Sequence, residues 1–523
     1  MATCSATHRF GLDSVYNRAD VDASKVIWAR LPVDLNVIMK IPNGFLEVIL
    51  VTASVAMPGY FAARHVAAWP ARVNYPGELD NAESSVLAEM IHLREGVPVY
   101  APASPQRFDS VLYGPLFYLL CSRLIDPQKP SHTLPRELSL FATLGMAAGC
   151  ALLAFWLARR YLAAAIAALL FLSYPFVTHF GTQNRCDGLA LLLWFSGFLV
   201  AYRFRDSRKL LFAVPLMTLG FYYKQQFIAA PLAILLFLIL EKRFRLAAEF
   251  VALLGIAGLS LLASFQFLVF RHQSFLLHFF GYNVIPVSWR QCLGWTLVLG
   301  VTFLVPCAAA VQFLRTHPNR LLACYFCWVV PLLFVTMARR GANINYAIEL
   351  LLVLCPLLAA QLAISFPRPS RAALGLCLLA ATLWLGNIFP VWVPQAKDIA
   401  QDKAVQVYLR ENFPPKAPAL GLYVGDLVRA GLDTPMTDLA NYTWLVCEGK
   451  LSDQILLTPF RERRYAILVL RFDLQAEKDR AEPGGGCLPH QFYQAIVQNY
   501  RPVDPSAARL FEAKRYYAWI PRQ

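Results

Sequence analysis

Two carboxylates stand three residues apart in the stretch GELDNAESSVLAEMIHLREG, residues 77–96, namely Asp80 and Glu83. The apolar side chains that follow them recur at helical spacing and predict an amphipathic helix lying along a membrane surface. On this helix both carboxylates point the same way, so one could accept a proton from a hydroxyl while the other orients it. The same pattern is also a capping box, with aspartate at the N-cap and glutamate three positions later. The two roles are compatible, because a capping side chain is held in place.

Three further stretches place polar groups beside apolar runs, where an ionisable group is costly and therefore informative. They are GTQNRCDGLA with Arg185 and Asp187, FYYKQQFIAA with Lys224 and Gln225, and ARRGANINYAIEL with Arg339, Arg340, Asn345 and Glu349. Together their cations could hold a lipid phosphate, arginine through forked donors and lysine as a point charge. Asp187 could hold hydroxyls of a sugar or an acceptor. In YGPLFYLL, Tyr113 offers an aromatic face on which a sugar could stack.

Each of these groups also has a purely structural role open to it. The alternatives are an ion pair between helices for Arg185 and Asp187, a snorkelling side chain for Lys224, interfacial anchoring for Arg339 and Arg340, a buried partner of a cation for Glu349, and a simple re-entry of the chain at Tyr113. Because Arg185 and Asp187 are two residues apart, they would not face one another on a helix, and each is expected to have its own partner.

Nucleotide chemistry has no support in the sequence. Phosphate-cradling glycine loops, HExxH zinc sites and GxSxG elbows are absent, and no cofactor or metal is expected. Cys324 and Cys327 lie inside an apolar run, where cysteine behaves as a small hydrophobic residue. Cys447 and Cys487 lie in the polar C-terminal region and could form a disulfide in an oxidising compartment.

The elements that must position these residues are membrane helices. Hydrophobic residues make up 57% of the 523-residue chain and charged residues 15%, a balance that excludes a soluble enzyme. Runs of about 17 to 25 apolar residues can cross ~30 Å of hydrocarbon as helices. We find eleven candidates, at residues 44–62, 137–157, 161–179, 187–203, 210–223, 227–240, 246–270, 293–314, 321–337, 345–365 and 373–391.

The distribution of basic residues predicts the orientation of these segments. With residues 1–43 in the cytoplasm, every second loop is short and basic, from Arg159 and Arg160 to Arg368 and Arg371, as the positive-inside rule requires. The net charge of +15 then mainly sets topology, so no nucleic-acid partner is needed to explain it. Residues 44–394 form the bundle, including a large external loop, 64–136, and residues 395–523 form a small external α/β domain.

The arrangement resembles the GT-C superfamily of integral-membrane glycosyltransferases, notably the branch of protein O-mannosyltransferases and lipid A aminoarabinose transferases. The resemblance extends over nearly the whole chain, and its best local matches are Asp80 to Glu83, REGVPVY, YGPLFY, RCDGLAL, YYKQQF and GANINYAIE. It implies a multi-pass enzyme of the plasma (inner) membrane that moves a sugar from a polyprenyl-phosphate donor to a hydroxyl of a glycan, lipid or protein. By resemblance the base is an acid of the first loop, which we place at Asp80. The mannosyltransferase pattern has adjacent Asp and Glu, whereas this chain has DNAE, so Glu83 stays an alternative.

Two other classes of protein remain open at this point. A transporter or lipid flippase usually has its binding groups near the membrane midplane, between repeated halves, and the short segments between residues 210 and 240 would suit one. A non-catalytic assembly protein that binds glycans would need no cavity joining Asp80 to Lys224. A wide separation of these two residues in the structure would favour this last class.

Overall fold

The computed structural model describes residues 43–283, 287–339, 341–366, 368–388, 390–471, 473–474 and 489–523. The N-terminal segment predicted to be cytoplasmic lies almost wholly outside these residues. The α-helices up to residue 386 are α1 Asn43–Val66, α2 Trp69–Val73, α3 Asn81–Arg94, α4 Pro115–Leu124, α5 Thr133–Ala158, α6 Tyr161–Leu172, α7 Pro175–Gly181, α8 Asp187–Arg203, α9 Ala213–Tyr223, α10 Ala229–Leu240, α11 Phe244–Ser264, α12 Trp289–Thr316, α13 Arg320–Met337, α14 Ala347–Ser365 and α15 Pro369–Gly386.

Each of the eleven predicted segments coincides with a helix. Among the described residues, six helices are long and apolar enough to cross a membrane, or seven if α6 and α7, which meet at 69°, count as one bent span. The helices α8, α9, α10 and α15 have 17, 11, 12 and 18 residues. All eleven predicted segments are thus helical, with α6 and α7 together forming segment 161–179. Their number exceeds that of the helices long enough to cross a membrane among the described residues.

Helix α14 forms the centre of the bundle. Of its most apolar window, 89% is buried inside the protein, and α5, α6, α12, α13 and α15 pack around it. By contrast, α11 is only 17% buried and presents large side chains such as Ile256 and Leu259 outward. An outward apolar face of this kind suits contact with lipid. The protein is thus a multi-pass membrane protein, as predicted.

The C-terminal region folds as the predicted small α/β domain. Its elements are α16 Ala396–Asn412, β1 Ala419–Gly421, α17 Gly425–Arg429, α18 Leu439–Cys447, α19 Gln454–Arg461, β2 Ile467–Leu470, α20 His490–Asn499, β3 Tyr500–Pro502, α21 Pro505–Glu512 and β4 Tyr517–Pro521. The strand order is β1-β2-β4-β3, with β1 and β2 parallel and the other neighbours antiparallel. Cys487 lies outside the described residues, so its disulfide with Cys447 stays a prediction.

The loop that the sequence predicts to be external, residues 64–136, packs on this C-terminal domain. Phe108 N–H donates to Pro435 O at 2.7 Å, and the Phe108 ring belongs to the apolar core on one side of the sheet. Helix α3 is covered on nearly all sides, because Leu87, Ala88 and Met90 are fully buried against α4 and α17. This burial does not fit the predicted amphipathic helix, because residues 83–92 leave almost no side chain open to solvent or lipid. Its burial holds its first turn at the boundary between the bundle and the C-terminal domain.

Candidate active site

Asp80 is the N-cap of α3. Its backbone is extended (φ −155°), and Oδ1 accepts a hydrogen bond from Ala82 N at 3.5 Å. A full capping box does not form, because Glu83 accepts from Leu79 N at 2.6 Å instead of from the Asp80 N–H. The Asp80 side chain is 20% exposed. Local sequence chemistry thus fixes the backbone of Asp80 and leaves its carboxylate partly open to solvent.

Glu83 points inward, away from solvent. Arg136, at the start of α5, donates to both of its oxygens, Nε to Oε1 at 2.8 Å and Nη2 to Oε2 at 2.7 Å, and both side chains are fully buried. Asn184 N–H also donates to Oε1, at 2.5 Å. Burial opposes ionisation, but the guanidinium outweighs it and lowers the pKa of Glu83 to about 2. This geometry makes Glu83 an internal anchor and leaves Asp80 as the carboxylate of the pair that is partly open to solvent.

A chain of ion pairs joins Asp80 to Lys224. Arg185 Nη1 donates to Asp80 Oδ2 at 3.4 Å, and its Nε donates to Asp187 Oδ2 at 3.2 Å. Lys224 Nζ donates to Asp187 Oδ1 at 2.6 Å, and Asn345 Nδ2 donates to the same oxygen at 2.5 Å. Five residues predicted from separate stretches therefore meet at one place.

The expectation that Arg185 and Asp187 have separate partners is only partly right. Arg185 precedes α8 in a tight turn and Asp187 begins the helix, so the rule for two positions on one helix does not apply to them. They bond to each other, and each also has the partner it was expected to need. Asp187 at the start of α8 also pairs with Lys224 at the end of α9, so an ion pair between helices is present too.

Aromatic rings surround the two cations. Lys224 Nζ lies 5.0 Å from the ring centre of Tyr113, 5.3 Å from that of Phe227 and 4.8 Å from that of Tyr346. Tyr113 OH accepts from Arg185 Nη2 at 3.3 Å. A Cβ at Gly114 would lie 2.0 Å from Tyr222 O, so only glycine allows the loop to approach so closely. The YGP turn thereby brings Tyr113 against the cations.

The charges in this chain of ion pairs balance. Asp80 and Asp187 oppose Arg185 and Lys224, and the Lys224 side chain is fully buried. Lys224 is therefore placed to fix Asp187, and this ion pair neutralises its charge. Of the cations predicted to bind a phosphate, Arg339 and Arg340, which follow α13 in the sequence, are then the remaining candidates.

The remaining predicted site residues lie around this cluster or apart from it. Gln225 donates to Leu112 O at 3.3 Å and so holds the residue before Tyr113. Arg339 is half-buried, and within the described ranges its side chain forms no ion pair; Arg340 lies outside those ranges. Glu349 is buried and accepts from Tyr325 OH at 3.4 Å, with no cation bound to it in the described part of the chain. The expected cation partner of Glu349 is thus replaced by a hydroxyl.

A second buried cluster lies next to the site and was not predicted. Glu78, two residues before Asp80, accepts from Tyr516 OH at 2.9 Å, while its Oε2 is buried without a hydrogen bond among the described residues. Asp402 and Asp426 face it, together with the cations Arg429 and Lys514. Burial and the Asp426 charge raise the pKa of Glu78 to about 8. Three acids meet two cations, so a proton on Glu78 completes the charge balance.

The charge state of Glu78 predicts a pH-dependent stability. The pKa of Glu78 is about 8 in the folded protein and 4.5 in the unfolded chain, so Glu78 takes up a proton on folding between these pH values. Its contribution to the stability of the fold therefore declines as pH rises from 4.5 to about 8. Buried His132, whose pKa falls from 6.5 to about 3, acts in the opposite sense only below pH 6.5. Between pH 6.5 and 8 we expect the Glu78→Gln variant to lose less of its thermal stability than the wild type. Parallel pH profiles for both would contradict this, and Glu95→Gln, on the exposed Lys416 pair, is the control.

Known proteins resemble the chain in part of its sequence and in its fold. The family model for dolichyl-phosphate-mannose-protein mannosyltransferase matches residues 136–269, about a quarter of the chain. ArnT from Cupriavidus metallidurans in the apo state superposes with a TM-score of 0.53 at 11% identity, covering 88% of this chain and 97% of that one. The chain has the GT-C fold. ArnT bound to undecaprenyl phosphate gives 0.52, with the same identity and coverage.

The GT-C fold is the one that the sequence motifs implied, and that prediction is confirmed. The matched family region contains Arg136, Arg185, Asp187 and Lys224 and ends before the C-terminal domain. An oligosaccharyltransferase from Archaeoglobus fulgidus, in complex with zinc and sulfate, gives a TM-score of 0.49 at 13% identity, covering 88% of this chain and 72% of that one. No curated protein matches the chain by sequence.

Proposed function

We propose that this protein transfers a sugar from a polyprenyl-phosphate donor to an acceptor hydroxyl on the outer face of the membrane, with Asp80 as general base. The observation that carries the proposal is the chain of ion pairs that ends at Asp80. Arg185, Asp187 and Lys224 are nearly or fully buried, whereas the Asp80 carboxylate is one-fifth exposed. A fixed carboxylate at the edge of a buried polar network suits proton abstraction from a bound hydroxyl.

In the reaction we propose, the acceptor oxygen loses its proton to Asp80 and bonds to the anomeric carbon of the donor sugar. The bond from that carbon to the phosphate oxygen breaks from the opposite side, so the configuration inverts and lipid phosphate leaves with the electron pair. Arg185 is a positioning residue, because it holds Asp80 Oδ2 on one side and Asp187 on the other. Arg339 and Arg340 are proposed to bind the phosphate, since Lys224 is already paired with Asp187.

Two findings support a lipid-linked donor. The fold is shared with ArnT, for which a structure bound to undecaprenyl phosphate exists. The polar cluster also lies where the bundle meets the C-terminal domain, and a lipid-borne phosphate is expected at such a boundary. The short distances from Asp80 to Lys224 through Arg185 and Asp187 argue against the assembly-protein interpretation, which needs no such connection.

The direct test supplies the purified full-length protein, in lipid nanodiscs, with a panel of polyprenyl-phosphate sugars labelled in the sugar. We expect at least one donor to lose its sugar, to an added acceptor or to water, at a rate that depends on protein concentration. A transporter would instead move a donor across sealed vesicles with the sugar–phosphate bond intact. Movement without bond cleavage for every donor would contradict the proposal.

A further inference from the structure

A cavity separate from the Asp80 site opens between the ends of α1 and α15. It has a volume of about 420 Å³ and is lined by Arg64 and His65 of α1 and by Asn387, Ile388, Val391 and Val393 after α15. Both helix ends lie at the side where the chain enters the external domain at Ala396. The cavity is therefore at the level where the apolar bundle gives way to the external domain.

One cation stands at the cavity without a partner. Arg64 is exposed, and within the described residues its guanidinium has no ion pair or hydrogen bond. His65 is already bonded to Leu172 O at 3.3 Å, and Asn387 donates to Leu383 O at 2.8 Å. The described lining residues include no acid, and apart from Arg64, His65 and Asn387 they are apolar or proline. An anionic group with an apolar body is the chemistry that complements such a wall.

Aromatic side chains mark the membrane level beside this cavity. Tyr60 lies one helical turn before Arg64 on the same face of α1 and is 65% exposed. Trp384 lies three residues before Asn387 on α15 and is also 65% exposed. Tyrosine and tryptophan are enriched where a membrane meets water, at the depth of the lipid headgroups. The Arg64 guanidinium thus lies about one helical turn outward from this aromatic level, where a lipid phosphate is found.

We infer that this cavity binds the headgroup of an anionic membrane phospholipid, with its phosphate on Arg64 and its glycerol against Ile388 and Val393. The acyl chains would follow the outward apolar faces of α1 and α15. This inference does not depend on the proposed sugar transfer, since none of its residues belongs to the Asp80 cluster. A lipid bound here would link the end of the first span to the segment that leads into the external domain. These two parts of the chain are already joined nearby, since Arg72 of α2 donates to Trp392 O.

The test measures lipid binding to the full-length protein in detergent micelles by native mass spectrometry and by thermal unfolding. We expect phosphatidylglycerol to bind and raise the melting temperature more than phosphatidylcholine does. The Arg64→Gln variant should bind phosphatidylglycerol about tenfold more weakly, because it loses a charge-assisted hydrogen bond. Ala67→Trp, which fills the cavity from its exposed rim, should have a similar effect while keeping the arginine.

The matched control is Arg123→Gln, at another exposed arginine in the last turn of a helix, here α4. It should leave phosphatidylglycerol binding unchanged. Equal binding by wild type and Arg64→Gln would overturn the inference. Inorganic phosphate is tested as a separate probe, and an equal rise in melting temperature with phosphate alone would overturn the assignment to a lipid.

Discussion

Replacing Asp80 with asparagine is expected to lower sugar transfer at least ~100-fold, since general-base catalysis typically contributes about 10²–10⁴ in rate. Asparagine is as good an N-cap as aspartate, so α3 should begin at the same residue. The ion pair lost with Arg185 is a long one, at 3.4 Å, and is partly open to solvent. The variant therefore removes the basic oxygen while changing little else, and the fold and donor binding should stay close to those of the wild type.

The measurement is the initial rate of transfer with the best donor from the panel, together with donor affinity and the unfolding temperature of each variant. Asp80→Glu is a useful companion, because it keeps the base but moves it by one methylene. Glu83→Gln is the contrasting variant: it should reduce stability, because it leaves the Arg136 guanidinium buried without its counterion. Near-normal turnover for both Asp80→Asn and Glu83→Gln would remove the assignment of a first-loop base.

The sequence predicts those parts of the site that depend on local chemistry. Asp80 is an N-cap because an aspartate stands directly before a helical pattern, and that rule needs no knowledge of the rest of the fold. The polar groups beside apolar runs were also expected to act together, because an ionisable group in the membrane interior is costly without a partner. Asp187, Lys224 and Asn345 meet within hydrogen-bond distance as a result.

The partners of Glu83 and Glu78 could not be predicted in the same way. Glu83 pairs with an arginine 53 residues further along the chain, and Glu78 bonds to a tyrosine 438 residues away. Spacing rules act within one element, whereas these pairs depend on how the loop, α5 and the C-terminal domain pack. The one sign of Arg136 in the sequence is that a charged residue directly precedes the apolar segment 137–157. The covering of α3 by α17 was missed for the same reason.

Replacing Arg136 with methionine is expected to have the largest effect on stability. Methionine fills much of the volume but leaves the Glu83 carboxylate buried and unpaired, which typically costs about 3–5 kcal/mol. Arg136 Nη1 and Nη2 also donate to the carbonyls of Tyr75 and Gly77, at 2.5 and 2.7 Å, so the loop before α3 loses its supports as well. Against a typical total stability of about 5–15 kcal/mol, this loss should lower the yield of folded protein and its unfolding temperature sharply.

The control is Arg208→Met, which breaks a solvent-exposed pair with Glu249 and should change stability little. The double variant Glu83→Gln with Arg136→Met removes both charges, so it should lose less stability than the two single variants lose in total. If Arg136→Met unfolded at the same temperature as the wild type, the buried pair would not anchor the loop.

The Arg136→Met variant also connects stability with chemistry. Glu83 accepts from Leu79 N and Asn184 N, and these residues directly precede Asp80 and Arg185. If the anchor loosens, the two members of the proposed site lose their fixed separation of 3.4 Å even in molecules that remain folded. Transfer per folded molecule should therefore fall for Arg136→Met and stay normal for Arg208→Met. A fall in yield with normal turnover of the remaining protein would instead separate the anchor from the site.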